Sequence, residues 1–285
     1  MEPWLVAPIT LLALLLAVLC HRRLCAIFPE DQPGQAARKQ HPEATPLVGW
    51  TLGLAALALS LGQWWLMAAI ALTTYIGYLD DRAKDGNGAP GVTWHHKGRF
   101  IAAATACGTV HLWQVHADMS PIDIALVSVI LLVIINAVNF LDNANGVSAA
   151  LGSMGLLLAT GADGPLAMVG FVYLGFLPLN WPRARIFLGD SGTLTLGLCL
   201  GVAALDAGLV TQPGVTLSSL LPMAVFLVDF AQVLIARLVL GVPPWVGDRR
   251  HITHILMNLH LPRWLLAPLL AGGGWLAFDL APHLQ

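Results

Sequence analysis

The chain has 285 residues, 57% of them hydrophobic and 11% charged. A soluble domain carries about a quarter charged residues. These proportions, with a mean hydropathy of +0.73, exclude an ordinary soluble enzyme and describe a polytopic membrane protein. The net charge of −2 says little about partners, and no nucleic-acid partner is expected.

A membrane-spanning helix needs about 20 mainly apolar residues. In chain order the candidates are 3–20, 46–61, 63–79, 99–116, 122–141, 146–162, 164–181, 191–209, 216–240 and 264–281. The first has no basic region ahead of it and runs into His21-Arg22-Arg23, so it reads as a retained helix rather than a cleavable leader, with the N-terminus outside. Ten spans then return the C-terminus to the outside. All 14 Lys and Arg residues fall in or beside segments this topology makes cytoplasmic, namely 21–45, 80–98, 142–145, 182–190 and 241–263, and the outer loops hold none. One span more or fewer would destroy that one-sidedness. The four cysteines, Cys20, Cys25, Cys107 and Cys199, form no CxxC pair, so neither disulfides nor a zinc site is expected. The expected fold is all-α: an integral membrane bundle of about ten transmembrane helices, one domain over 1–285, with its chemistry in a cleft on the cytoplasmic side.

The inner segments carry the polar constellations. The first, "DQPGQAARKQHPEATPLVG", is an extended Pro/Gly loop with Arg38, Lys39 and His41. Next, "TYIGYLDDRAKD" ends an apolar helix on Asp80 and Asp81. Paired acids at a helix C-terminus oppose the helix dipole and call for a cation or a proton. In "NAVNFLDNANG", Asn136, Asn139 and Asp142 are spaced by three, so neighbours share a helix face, and the helix frays near Asp142. In "NWPRARIFLGDSGTLTLG", Asp190 and Ser191 can cap the following helix, and the glycines let backbone N–H groups approach an anion at its positive end. In "PPWVGDRRHITHIL", Arg249, Arg250, His251 and His254 concentrate charge in one loop. An isolated HxxH is a weak metal signal, whereas arginines beside it suit phosphate oxygens.

Acids on at least three segments and cations on at least three, all on one membrane face, fit a Mg²⁺-dependent site that handles a diphosphate. Mg²⁺ takes one or two carboxylates plus substrate phosphates, and cations neutralise charge developing at phosphorus.

Taken in order, these five motifs resemble the polyprenyl-phosphate N-acetylhexosamine-1-phosphate transferases, a superfamily that includes the phospho-N-acetylmuramoyl-pentapeptide transferases. The resemblance covers roughly residues 31–256. It implies a ten-helix bundle in the plasma (inner) membrane, Mg²⁺ (or Mn²⁺) as cofactor, and a homodimer as in relatives. The implied reaction is attack of a polyprenyl phosphate on the β-phosphorus of a UDP-N-acetylhexosamine, giving a polyprenyl-diphospho-sugar and UMP. The implied roles are metal binding for Asp190, with Asp142 helping to hold metal or phosphate, and orientation or deprotonation of the lipid phosphate for Asp80 beside Asp81. Asn139 matches the asparagine of N-x-x-D-G-x-D-G. Arg249, His251 and His254 match the histidine motif that contacts diphosphate or sugar. Phe187 matches an aromatic that stacks on uracil, and Asn180 and His41 fall on the nucleoside side.

The departures are specific. Asn145 stands where that pattern has its second acid, and Asn143 where it has its first glycine. Trp50 replaces the second glycine of "PLVGG", and Ala103 stands where relatives often have Gln. "HITH" in place of three consecutive histidines, with "ARKQH" and "PLVG", points to the N-acetylglucosamine-type branch. Two alternatives remain from the residues alone: a catalytically altered member acting as a scaffold, and a transporter. An intramembrane aspartyl protease would not need the arginines and histidines at a basic interface. The residues leave open whether transfer is direct or passes through a covalent enzyme phosphate.

Overall fold

The computed structural model describes residues 3–24, 28–31, 44–84, 91–211, 214–243 and 250–280. All ten apolar segments form helices. A 3-10 turn over Pro3–Leu5 leads into α1 (Val6–Leu24), then α2 (Gly49–Leu59), α3 (Trp64–Ala83), α4 (Trp94–Val115), α5 (Pro121–Leu141), α6 (Val147–Thr160), α7 (Gly164–Asn180) and α8 (Gly189–Thr211). The segment 216–240 is one helical stretch, as its apolar run suggested, but in three pieces. It is α9 (Leu217–Leu220), a 3-10 turn over Leu221–Met223, and α10 (Ala224–Val239). Pro222 sits in the turn, and proline supplies no N–H for the helical ladder. α12 (Arg263–Leu280) follows a further short helix, α11 (Ile252–Asn258).

Two details were not expected from the sequence. Glu30–Asp31 (β1) pairs antiparallel with Thr45–Pro46 (β2), and Leu47 makes a parallel bridge with Phe187. Strands of two residues show no alternation for a sequence pattern to register. α11 lies within the basic loop, where seven residues are too few for a clear helical period.

Three helical stretches, Pro121–Leu141, Gly189–Val210 and Leu217–Val239, are long and apolar enough to cross a membrane by length and composition. The molecule is a helical membrane protein. Large apolar side chains stay exposed on outer helices, among them Leu12, Leu16 and Leu19 on α1 and Val228, Ile235 and Leu238 on α10. A contiguous apolar exterior is what a lipid environment accepts and water does not.

α8 is the axis. Residues 191–205 are buried without interruption, as expected for a helix apolar on every side. α2, α3, α4, α5 and α6 pack around it. Hydroxyls tie α3 to α8: Thr195 lies 3.3 Å from Thr73 and 2.9 Å from Thr74. The helix starts are set locally. Ser120 and Asp123 form a reciprocal capping box on α5, with Pro121 in the first turn. The Asp163 side chain accepts from Gly164 N at the head of α7.

Candidate active site

The acidic motifs meet where the C-termini of α3 and α5 reach the N-terminus of α8. Close approach makes this possible. A Cβ on Gly77 of α3 would collide with the backbone of Ser191, so only glycine lets the two helices touch there. Gly189, which opens α8, has φ +62°, a left-handed conformation that favours glycine.

Asp81 is buried, and both its oxygens are committed to α8. Oδ1 accepts from Asp190 N at 2.8 Å; Oδ2 accepts from Ser191 N at 3.1 Å and Ser191 Oγ at 2.8 Å. The sequence suggested that Asp190 and Ser191 cap this helix and that its N–H groups await a substrate anion. Instead a carboxylate from α3 occupies that positive end. Asp81 therefore positions Asp190.

Asp80 and Asp190 face a shared pair of lysines. Lys84 Nζ lies 2.5 Å from Asp80 Oδ2 and 3.2 Å from Asp190 Oδ2. Lys97 Nζ lies 3.3 Å from Asp80 Oδ2 and pairs closely with Asp190 Oδ2. Val92 N donates to the other Asp80 oxygen at 2.7 Å. Burial disfavours the charged form of both lysines, but the Asp190 and Asp80 carboxylates outweigh it and hold their pKa values above the ordinary lysine value. Sequence reasoning missed Lys84 and Lys97 as site residues. It counted them as basic loop residues, although Lys84 stands one helical turn after Asp80, a spacing that places both on one face.

The second polar wall comes from α5. Asn139 Nδ2 donates to Asp190 Oδ1 at 3.2 Å and to Thr193 Oγ1 at 2.8 Å. Asp142 is the C-cap of α5 and is exposed, near enough to Asp190 to feel its charge. Asn143 accepts from the Thr253 hydroxyl of α11. Asn145 donates to the carbonyl of Pro182 at 3.3 Å, so it braces the 182–188 loop. Asn180, expected on the nucleoside side, is buried with its amide spent internally. Its Oδ1 accepts from Gly146 N at 2.6 Å and its Nδ2 donates to Ile186 O at 2.8 Å. It is a staple between the α5–α6 turn and the loop before α8. Phe187 is half-buried and held by backbone pairing, its N–H on Pro46 O at 2.9 Å and its carbonyl on Val48 N at 3.0 Å. Tyr173, not singled out from sequence, is fully buried and donates to Gly192 O at 2.7 Å.

His251 is the N-cap of α11, one residue ahead of the helix that carries His254. Their rings lie 6.4 Å apart. His251 Nδ1 lies 2.8 Å from the buried Asp229. His41 and Arg249 lie outside the described residues.

The donor set suits Mg²⁺. Asp80 and Asp190 turn carboxylate oxygens toward the same two ammonium groups, so their oxygens converge on a point that already attracts cations, and hard oxygens are what Mg²⁺ takes. The expected pair was Asp190 with Asp142; the geometry makes Asp80 the carboxylate that shares partners with Asp190. Among the described residues no three His, Cys, Asp or Glu side chains are arranged to hold an ion together, so substrate oxygens would have to complete the sphere. A cavity of about 680 Å³ lies away from these acids and is lined by residues that include Gln63, His111, Asp163 and Asp206.

This combination, a helical membrane bundle with acids and lysines gathered at the head of its central helix, defines a class that the comparisons identify. Residues 63–208 match glycosyl transferase family 4, and the chain belongs to that family. It is 36% identical over 181 residues to a decaprenyl-phosphate N-acetylglucosaminephosphotransferase of Mycolicibacterium smegmatis, covering 53% of this chain and 43% of the relative. It is 31% identical over 256 residues to the protein of the same name from Mycobacterium leprae, covering 76% and 63%. It is 31% identical over 141 residues to a probable undecaprenyl-phosphate N-acetylglucosaminyl 1-phosphate transferase of Bacillus subtilis, covering 45% and 38%. The matches thus span less than two thirds of these relatives' own lengths.

Proposed function

We propose that this protein transfers N-acetylglucosamine-1-phosphate from UDP-N-acetylglucosamine to a polyprenyl phosphate, releasing UMP, with Mg²⁺ bound at Asp80 and Asp190. We place the site at the cytoplasmic face of a ten-span bundle in the plasma membrane, with both termini outside and a homodimer as the assembly. The observation that carries the reading is the sharing of Lys84 and Lys97 by Asp80 and Asp190.

The chemistry requires two anions to meet. An oxygen of the lipid phosphate forms a bond to the sugar-bearing β-phosphorus, and the bond from that phosphorus to the bridging oxygen breaks, leaving with UMP. The acceptor's second pKa is about 6, so it is largely ionised at neutral pH and needs little help from a base. Charge neutralisation is the harder task. Asp80 and Asp190 would hold Mg²⁺, which would supply part of it as a Lewis acid toward phosphate oxygens. Lys84 and Lys97 supply the rest, and they are fixed in place before substrate arrives because two carboxylates hold them. Asp81 sets the first turn of α8, and Asn139 orients the remaining Asp190 oxygen. Phe187 offers a ring for the uracil, and His251 and His254 face the diphosphate or the sugar.

The names of the relatives favour N-acetylglucosamine over N-acetylmuramoyl-pentapeptide as the sugar, in line with the "HITH" motif. The test is purified protein with Mg²⁺, polyprenyl phosphate and a panel of UDP-sugars, read by UMP release. Release with UDP-N-acetylglucosamine is the expected result. No turnover with any UDP-N-acetylhexosamine would overturn the reading.

A further inference from the structure

Burying a carboxylate is costly unless every lone pair is used. Asp229 of α10 is fully buried, on a stripe with Phe226, Val233 and Arg237. Its two oxygens serve adjacent residues of a different element. Oδ2 lies 2.8 Å from His251 Nδ1, and Oδ1 accepts from Ile252 N at 2.6 Å. One carboxylate thus holds the imidazole of His251 and the first backbone N–H of α11.

We infer that Asp229 is the positioning residue of His251, fixing its ring orientation and its tautomer for the transfer reaction. The inference rests on the transferase reading above. A carboxylate accepts and does not donate, so the proton of the neutral imidazole sits on Nδ1 and the lone pair on Nε2. A histidine in a loop can choose either tautomer and many rotamers; this one is left with one of each.

Three further contacts make the placement rigid. The His251 ring meets the Phe140 ring edge-on, at 6.4 Å and 88°, and Phe140 lies two residues before Asp142. The Arg237 guanidinium sits 5.1 Å from the centre of the same Phe140 ring. On the other side of α11, the Thr253 hydroxyl donates to Asn143. The short helix is pinned to α10 by Asp229 and to the end of α5 by Asn143. His251 is thereby held beside the Asn139–Asp142 wall.

The test combines a spectrum with kinetics on the full chain in nanodiscs. In wild type labelled with ¹⁵N-histidine, His251, assigned by its loss in His251→Asn, should show the Nδ1–H tautomer. In Asp229→Asn the carboxamide can present an N–H to Nδ1, so the Nε2–H tautomer should appear. UMP release should fall in kcat by about tenfold or more, the lower end of the range for removing the carboxylate behind a metal-bound histidine, with KM for UDP-N-acetylglucosamine changing less than kcat. His251→Asn keeps an N–H toward Asp229 and removes Nε2, so adding Asp229→Asn to it should cost kcat nothing more. An Nε2–H wild type, wild-type kcat in Asp229→Asn, or a full additive loss in the double variant would each overturn the inference. Wild type that releases no UMP but shows the Nδ1–H tautomer would defeat the transferase reading alone.

Discussion

Asp81, in the last turn of α3, accepts a 2.8 Å hydrogen bond from the backbone N–H of Asp190, in the first turn of α8, across 109 residues of sequence. The site is assembled by that bond: one acid of an adjacent pair becomes scaffold and the other faces the lysines.

Asp81→Asn should therefore weaken the fold as well as the activity. The substituted amide can still accept on one side, but it turns a donor toward N–H groups that also donate. Leaving a buried partner unsatisfied costs about 1–3 kcal/mol. Thermal unfolding in detergent should show a clear drop in Tm. An unchanged Tm with lost turnover would instead place Asp81 in contact with the reacting groups.

Lys97→Met separates two roles of the lysine pair. The variant removes a cation that competes for the Asp190 oxygen, so the substrate-free protein should bind Mn²⁺, followed by electron paramagnetic resonance, more tightly than wild type. Turnover should nevertheless fall, by tenfold or more if the lost contact is a charge-assisted hydrogen bond to phosphate worth about 1.5–3 kcal/mol. Weaker Mn²⁺ binding in Lys97→Met would mean that the ion does not occupy the space between Asp80 and Asp190.

Asn145→Asp restores the acid that the family pattern carries. The Asn145 amide donates to Pro182 O, whereas a carboxylate would face that carbonyl with like partial charge. The expected result is lower stability with unchanged Mg²⁺ dependence of the rate. A shift in the Mg²⁺ concentration for half-maximal rate would bring position 145 into the metal's surroundings.

Gly77→Ala tests the close approach of α3 to α8. The added methyl would meet the Ser191 backbone, and backbone cannot swing aside as a side chain can. Overpacking of this kind typically costs about 1–3 kcal/mol, and here it would also push Asp81 away from α8. Both Tm and UMP release should fall. Normal values for both would show that the helices can separate without harm.

Much of the architecture was legible in the chain because long apolar runs announce membrane helices one at a time, without reference to their neighbours. The break at Pro222 was missed because hydrophobicity continues through it while the backbone ladder does not. The acids at 80, 81, 142 and 190 were legible as a constellation, since carboxylates ending or opening oily helices are costly wherever they sit. Lys84 and Lys97 were not, because a cation near a membrane edge looks the same whether it balances the inner face or bridges two carboxylates.

The sequence by itself determined the membrane class, the helix order and the set of polar residues from which a site could be built. Tertiary structure decided their division of labour. Asp80 and Asp81 are neighbours of the same type, and helical geometry turns them about 100° apart, one toward Lys84 and Lys97 and one onto the head of α8. Asn180 and Asn145 became braces because carbonyl and N–H groups from other segments came within reach, and His251 took its orientation from a carboxylate on α10. Hydrogen bonds are short and directional, so their pairing exists only after the helices have packed.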